Sequence, residues 1–395
     1  MLKNKIVISP VYIYFILYLI SNVYAYYTSI LNHGIVVEGV FYSFSPLEVS
    51  ISFFSIILFL LIIAVLYVFV SYTPSRNCRF ELGNNYGYFS FLLQFCFVAF
   101  NVYYGVNVAG NSNNFDGNPI LNWFFVLFQP DIVFFITTIF VSSNRLASFN
   151  IGLYLISSLL RGWMGGVFLA AALVLCRYEG LSISKKNLFR IAIFIMFLIA
   201  ILPFIEQAKW MIRSGGELTA IIPVVMENGY FDVLIKVVDY ILNRFQHVGH
   251  VALIYQNSSE LLTSYEAGDF IPYWMDGLPQ YTLLKFFGEP TTSINSFLVH
   301  VVFNEPFATW NTNPGLAGWF VMLSEKTIGF LFYVIFVVLL SLCFFRYAFD
   351  TRAFKFVTCF CVIYFFHGWI GAYFNFVFYG FLLFVCYRVF RTVKI

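Results

Sequence analysis

Charge is scarce in this sequence. Asp, Glu, Lys and Arg together make up 10% of its 395 residues, where soluble domains carry about 25%. That deficit excludes an ordinary soluble domain. A net charge of +3 is too small to suggest nucleic-acid binding. There are seven cysteines, none of them in the long stretch from Glu206 to Pro314, which leaves no disulfide framework and no cysteine-based metal site there. Internal repeats and low-complexity linkers are absent too. What is abundant is apolar surface: 61% of the residues are hydrophobic and 22% aromatic, with Phe dominant.

These residues are gathered in runs of the length that crosses a bilayer, about 20 residues or somewhat fewer when short or paired. The runs are Ile6–Tyr27, Leu47–Tyr72, Tyr88–Ala109, Ile120–Val141, Phe149–Leu160, Gly162–Cys176, Asn187–Ile205, Gly315–Phe345, Phe354–His367 and Trp369–Tyr387. The expectation is an all-α, polytopic transmembrane bundle of about 10–12 helices. Residues 1–205 form an N-terminal bundle, 206–314 a large outer loop and 315–395 the C-terminal helices. The first run has Lys3 and Lys5 before it and a passable cleavage site at Val23-Tyr24-Ala25. Its length and the aromatic Tyr26 and Tyr27 beyond that site favour a retained helix.

Positive residues stay on the cytoplasmic side. With the N-terminus inside, most of the 22 Lys and Arg fall in inner loops, among them Arg76, Arg79, Arg145, Arg177, Lys185, Lys186, Arg346, Arg352 and Lys394. Most acidic residues fall outside, and so do all five histidines: His33, His247, His250, His300 and His367. Any chemistry is therefore expected on the outer face. The long loop has turn signals at Ser214-Gly215-Gly216, Gly277-Leu278-Pro279 and Gly288-Glu289-Pro290, and regular apolar patterning between them. It should fold against the membrane.

Four places carry candidate chemistry. Arg145 and Arg177 bracket a hairpin whose legs of 13 to 15 residues rise only about 20 Å, less than the roughly 30 Å hydrocarbon core. Its tip, Arg161-Gly162-Trp163, would sit below the outer surface. A guanidinium there costs about 3 kcal/mol or more unless it faces a polar cavity or an acid. Gly162, Gly165 and Gly166 suit close backbone approach. Second, Asp232 to Tyr255 reads as one helix, with Asp232, Lys236, Asp239, Asn243, His247 and His250 on a polar side and Val, Leu and Ile opposite. Arg244 and His247, three apart, would be neighbours offering a phosphate clamp and a proton acceptor. An interfacial amphipathic helix explains the same pattern without chemistry. No metal is expected: two histidines lack a well-spaced third ligand. Third, Lys209 and Arg213, four apart, could receive an anionic head group, or simply mark the membrane boundary beside Glu206. Fourth, Asn313 ends the loop, and Glu325 follows inside the next span as a partner for Arg161 or part of a sugar site, unless Lys326 pairs with it locally. Trp274, Tyr281 and Trp310 could stack on sugars.

Taken together, the Arg161–Trp163 tip, the long outer loop after the following span, the Arg244–His247 stretch and the segment Asn311–Phe330 resemble a bacterial O-antigen polymerase of the Wzy type. The paired arginine-rich repeats of some members are not evident. The charge pattern puts both termini on the cytoplasmic side of an inner-membrane protein, and the resemblance implies a membrane-embedded glycosyltransferase of the GT-C type, related in fold to O-antigen ligases and rod-shape peptidoglycan polymerases. It implies transfer of a growing glycan from undecaprenyl pyrophosphate to the non-reducing-end hydroxyl of a new lipid-linked repeat unit at the periplasmic face. The pyrophosphate is already a leaving group, so no cofactor is needed, and a membrane chain-length regulator is an expected partner. In that scheme Arg161 and Arg244 stabilise the departing anion, His247 or else His250 takes the acceptor proton, and Lys209, Arg213, Asn313 and Glu325 bind substrate.

Other classes compete. An O-antigen ligase would share fold and donor. A flippase or secondary transporter would usually show two similar halves, which the dominant outer loop breaks. A membrane acyltransferase would want an intramembrane histidine, and His367 lies near the outer end of its span.

Overall fold

The computed structural model describes residues 6–74, 79–108, 117–163, 165–214, 216, 218–289, 291–303 and 310–392. Lys3, Lys5, Arg76 and Lys394 lie outside them. The chain is mostly helical. In order it runs β1 (Ile6–Ile8), α1 (Pro10–Asn32), β2 (Gly34–Val37), β3 (Val40–Ser43), α2 (Pro46–Ser71), α3 (Asn84–Tyr104), α4 (Pro119–Phe128), α5 (Pro130–Thr138), α6 (Asn144–Leu160), α7 (Gly165–Arg177), β4 (Leu181–Ile183) and α8 (Lys185–Ser214). The long loop folds as α9 (Ile221–Glu227), α10 (Tyr230–Phe245), α11 (Val248–Gln256), α12 (Ser258–Ala267), α13 (Leu278–Phe287) and α14 (Ile294–Val301). The chain closes with α15 (Gly315–Met322), α16 (Thr327–Ala348), α17 (Thr351–Phe360) and α18 (Ile370–Thr392).

Among the described residues six stretches are long and apolar enough to cross a membrane: Pro10–Asn32, Pro46–Ser71, Asn84–Tyr104, Pro119–Thr138, Ser324–Ala348 and Ile370–Val389. That is fewer than the expected ten. α6 and α7 are short, as the hairpin arithmetic required. The expected span from Gly315 to Phe345 is instead broken: α15 stops at Met322, a tight turn over Ser324–Lys326 follows, and α16 begins at Thr327.

Local chemistry sets several of these boundaries. α2 begins with a capping box, in which the Ser45 hydroxyl accepts from the Glu48 amide and Glu48 accepts from the Ser45 amide, with Pro46 in the first turn. The apolar run from 119 to 138 is not one helix. Pro130 disfavours helical geometry at Gln129, which turns to a positive φ of 39°, so α4 ends and α5 starts afresh. The run was expected to be continuous, and the break carries Asp131 into the first turn of a new helix.

The chain divides into two compact units, Met1–Tyr12 with Glu81–Arg244, and Ile13–Phe80 with Phe245–Ile395. The long loop thus contributes to both. In the first unit α3, α5 and α6 pack on one another and α6 on α7, around Phe97, Phe100 and Phe125 and a Phe134–Tyr154 stack. β1 and β4 pair antiparallel, Ile6 opposite Ile183. Arg177 is buried, and its guanidinium donates to the carbonyls of Thr138 and Val141 at 2.7 and 2.6 Å. It therefore serves the carbonyls left open where α5 ends.

In the second unit α11 is the hub, packed against α2 and α15; Val248, Val251 and Ala252 have no exposed surface. Trp319, Phe330 and Tyr273 fill the space beside it. Two arginines fasten loop backbone. Arg352 pairs with Asp350 at 2.6 Å and donates to the Phe80 carbonyl, while the Phe80 amide donates to Asp350. Arg346 donates to the Ser71 carbonyl at 2.9 Å.

Candidate functional site

Within the second unit, β2 and β3 form a hairpin joined by Glu38 and Gly39, both at positive φ (46° and 88°). A two-residue turn of this hand suits the strand twist but favours Asn, Asp or Gly at its first position. A glutamate held there is strained, which is more often found at functional sites. α11 lies directly on β2. A Cβ on Gly249 would come within 2.6 Å of Val37 and 2.7 Å of Ile35, so only glycine permits the approach. That approach brings the next residue, His250, to the hairpin tip, where its Nε2 lies 3.2 Å from Glu38 Oε1. A carboxylate only accepts, so Nε2 carries the proton and Nδ1 is left as the acceptor. Nδ1 is buried with no hydrogen-bond partner among the described residues.

Beside His250 lies a cavity of about 10 Å³, lined by Thr312 and Asn313 among others, room for about one water-sized group. Thr312 Oγ1 and Asn313 Oδ1 are also buried without partners among the described residues. Their segment is fixed at both ends: the Thr312 amide donates to the Asn295 carbonyl, and the Gly315 amide to the His367 carbonyl. Asn313, expected at a substrate site, and His250 thus line one small space, whose other walls are Thr312 and the apolar Leu253, Ile254, Leu298, Val302 and Phe303.

His247 behaves differently from His250. The expected continuous helix from Asp232 to Tyr255 ends at Phe245 and resumes at Val248, with His247 as the cap residue (φ −125°, ψ 0°). Asn22 of α1 holds the junction: its side chain donates to the Phe245 carbonyl at 3.0 Å and accepts from the His247 amide at 2.8 Å. His247 is therefore buried, whereas Arg244 remains exposed at the end of α10. The two are not helix-surface neighbours, because the backbone leaves helical geometry between them. The His247 ring stands edge-on to His367 at 4.1 Å, with Tyr18, Phe366 and His250 around it. His367 in turn hydrogen-bonds the Tyr18 hydroxyl. Neither ring nitrogen of His247 has a partner among the described residues.

Burial, and then His367 and His250 beside it, push His247 well below the ordinary imidazole value of 6.5. Folded, it stays neutral; unfolded, it takes up a proton below about pH 6.5. The unfolded chain then binds more protons, so stability is lost as pH falls. The expected loss from this one ring, between about pH 7.5 and 5.5, is about 1.4 kcal/mol. Unfolding of detergent-solubilised wild type and His247→Gln across that range checks it. Identical pH dependence of the two proteins would show that His247 carries none of it.

In the first unit, Arg161 closes the hairpin tip and is buried. Its partner is Asp131, with Nη2 2.7 Å from Oδ2. The rings of Phe97 and Trp163 lie 5.2 and 5.3 Å from its guanidinium carbon. Asp131 sits in the first turn of α5, where the helix dipole favours a carboxylate. Gly166 lets the hairpin legs meet, since a Cβ there would lie 2.6 Å from Ser158 and Tyr154 oxygens. A cavity of about 150 Å³ adjoins Arg161, lined by Asn101, Val102, Ser157 and Leu160 among others. Asn101 Nδ2 and Ser157 Oγ lack partners among the described residues.

Lys209 is also buried, its ammonium 2.5 Å from Glu206 and over the rings of Trp210 and Tyr240 at 4.6 and 4.2 Å. The Tyr240 hydroxyl accepts from Arg244 Nε at 2.9 Å, so one tyrosine bridges two cations. Arg213 falls in α8, and its side chain lies outside the described residues. Glu325 sits exposed in the turn before α16, in the second unit. Arg161, in the first unit, has Asp131, and Lys326 reaches Glu266 at 2.7 Å, not its neighbour.

Glu38, Asn22 and Tyr18 escaped the sequence reading. A Glu-Gly pair between Val36-Val37 and Val40-Phe41 was the available hairpin signal for the first; nothing local marked the other two. Comparison with known protein families, with curated proteins and with solved structures finds no match.

Proposed function

We propose that this protein is a membrane-embedded glycosyltransferase that joins lipid-linked oligosaccharide units, in the manner of a Wzy-type polymerase. The Glu38–His250 pair carries the reading. A carboxylate that fixes one imidazole nitrogen as a donor leaves the other as a proton acceptor, which is the arrangement of a general base. Thr312 and Asn313 beside it offer an acceptor hydroxyl its hydrogen bonds. In the proposed step the hydroxyl oxygen forms a bond to the donor sugar's anomeric carbon. The bond from that carbon to the pyrophosphate oxygen breaks, its electrons leave with undecaprenyl pyrophosphate, and the hydroxyl proton passes to His250 Nδ1. His250 thereby takes the role for which His247 was the other candidate; the His247 ring is buried among Tyr18, Phe366 and His367. Of the cations the resemblance gives to the pyrophosphate, Arg244 is exposed and donates to Tyr240. Arg161 and Lys209 already hold Asp131 and Glu206.

The inner-membrane topology belongs to the same proposal. In it, strands β1 and β4 join two segments assigned to the inner side by charge, and Arg346 and Arg352 fasten two more. Deleting the gene in a strain that makes such a glycan tests the function. Single repeat units retained on the lipid A core are the expected result. Loss of all units from the core would mark a ligase instead, and accumulation of inward-facing lipid-linked units a flippase. The buried Arg161–Asp131 pair beside a cavity is the observation that keeps transport as a second reading.

A further inference from the structure

α8 is a long apolar helix with Pro203 inside it. Proline has no amide hydrogen, so the Ile199 carbonyl four residues earlier has no donor within the helix. The Tyr230 hydroxyl, at the start of α10, lies 3.2 Å from that carbonyl and 3.2 Å from the Ala200 carbonyl. Farther along, Tyr240 of α10 meets Lys209 of α8. α10 therefore runs beside α8 in the same direction, from Ile199 at one end to Lys209 at the other.

Depth follows from this. The first charged residue of α8 beyond its apolar stretch is Glu206, and Ile199 precedes it by about 10 Å at 1.5 Å per residue. Ile193, Met196, Phe197 and Ile199 are exposed apolar residues on the same part of α8. Ile199 is exposed among apolar residues on one side of α8, and on that apolar side its carbonyl is kept from water, so a neighbouring hydroxyl satisfies it.

α10 has three faces. Val237 is buried, with Leu234 and Ile241 half-buried on its side. Asp232, Lys236, Asp239 and Asn243 form an exposed polar stripe. Phe231, Ile235, Val238 and Leu242, at spacings of four, three and four, form an exposed apolar stripe, with Phe231 75% exposed. Ile222 and Met226 of α9 are exposed apolar residues as well.

We infer that the segment from α9 to α10 dips back into the outer part of the bilayer and binds lipid acyl chains along Phe231, Ile235, Val238 and Leu242. Tyr230 anchors its deep end to the carbonyl that Pro203 leaves open. The polar stripe faces water and the third face packs on the protein. This surface continues the lipid-facing side of α8, which is why its occupant is lipid and not a second copy of the chain. The inference rests on the membrane reading alone and stands whatever reaction the protein performs.

The test places p-benzoylphenylalanine singly at positions 231, 235, 238 and 242, and at 232, 236, 239 and 243. The full chain is reconstituted in phosphatidylcholine vesicles with alkyne-bearing acyl chains and irradiated. Lipid adducts about tenfold more abundant at the first four positions are expected. Equal labelling of the two sets overturns the proposal, and so do chain-to-chain cross-links replacing lipid adducts at the apolar stripe. In a Tyr230→Phe background, adducts at 231 should fall about threefold while those at 242 persist. Unchanged labelling at 231 would refute the anchoring role of the hydroxyl.

Discussion

Asp131→Ala is expected to lower stability by about 3–5 kcal/mol, because the Arg161 guanidinium stays buried without its carboxylate. The pair is 2.7 Å apart with side chains 10% and 20% exposed, so solvent does little to screen the loss. Arg161→Ala should be damaging for the mirror reason, and it also removes the charge that faces Phe97 and Trp163. The informative variant is the double one. Replacing a buried ion pair by apolar residues of similar volume is often neutral, so Arg161→Met with Asp131→Leu should regain most of the stability lost by either alanine variant. Thermal unfolding of the purified protein in detergent decides this. Single variants within about 1 kcal/mol of wild type would mean the pair is solvated. The double variant also separates structure from function: if it folds and still makes glycan, the arginine at the tip is there to hold the hairpin.

Asp131 reaches Arg161 because a helix begins in the middle of an apolar run. The same device recurs in this chain. α15 and α16 divide one apolar stretch, and between α17 and α18 the backbone widens to bonds five residues apart over Cys361–Phe365 before stopping at Phe366–Gly368. The carbonyls of Phe366 and His367 then receive the amides of Leu316 and Gly315, so the open end of one segment satisfies the start of another. Widened turns of this kind are frequent at functional sites, and here the turn delivers His367 to Tyr18 and His247.

Apolar run length, a property of consecutive residues, was enough to mark α2, α3 and α18, and the short hairpin with Arg161 at its tip followed from counting residues against bilayer thickness. The breaks were harder. Gln129-Pro130-Asp131 carried a local signal, a proline with an acid behind it, that hydropathy averaging hid. The gap between α10 and α11 carried none. Ile241 to Tyr255 keeps helical periodicity throughout, and what parts it is the long-range clamp of Asn22 on the backbone of Phe245 and His247. Tertiary contacts override local propensity in such places. For the same reason spacing alone joined Arg244 to His247, while the partners that define their surroundings, Tyr240 for one and Tyr18, His250 and His367 for the other, lie elsewhere in the chain.

If the proposed function holds, His250→Ala slows glycan joining by about 10²–10⁴-fold, the usual worth of a positioned general base. Glu38→Gln should cost a large part of the same factor. It keeps the size of the side chain but replaces an oxygen that can only accept by an amide that can also donate, so the imidazole loses the constraint that leaves Nδ1 open. Two groups that act as a unit do not lose activity additively, and the double variant should be little worse than His250→Ala. Rates measured with purified lipid-linked donor and acceptor in vesicles, alongside thermal unfolding of each variant, make the comparison. Glu38→Gln keeps the side-chain size and an amide oxygen that can still accept from His250 Nε2, so its unfolding temperature should move little while its rate collapses. A Glu38→Gln protein with wild-type rate would end the case for His250 as the base. Multiplying losses in the double variant would mean that the two residues serve separate steps, and the 3.2 Å contact between them would be only a hairpin tether.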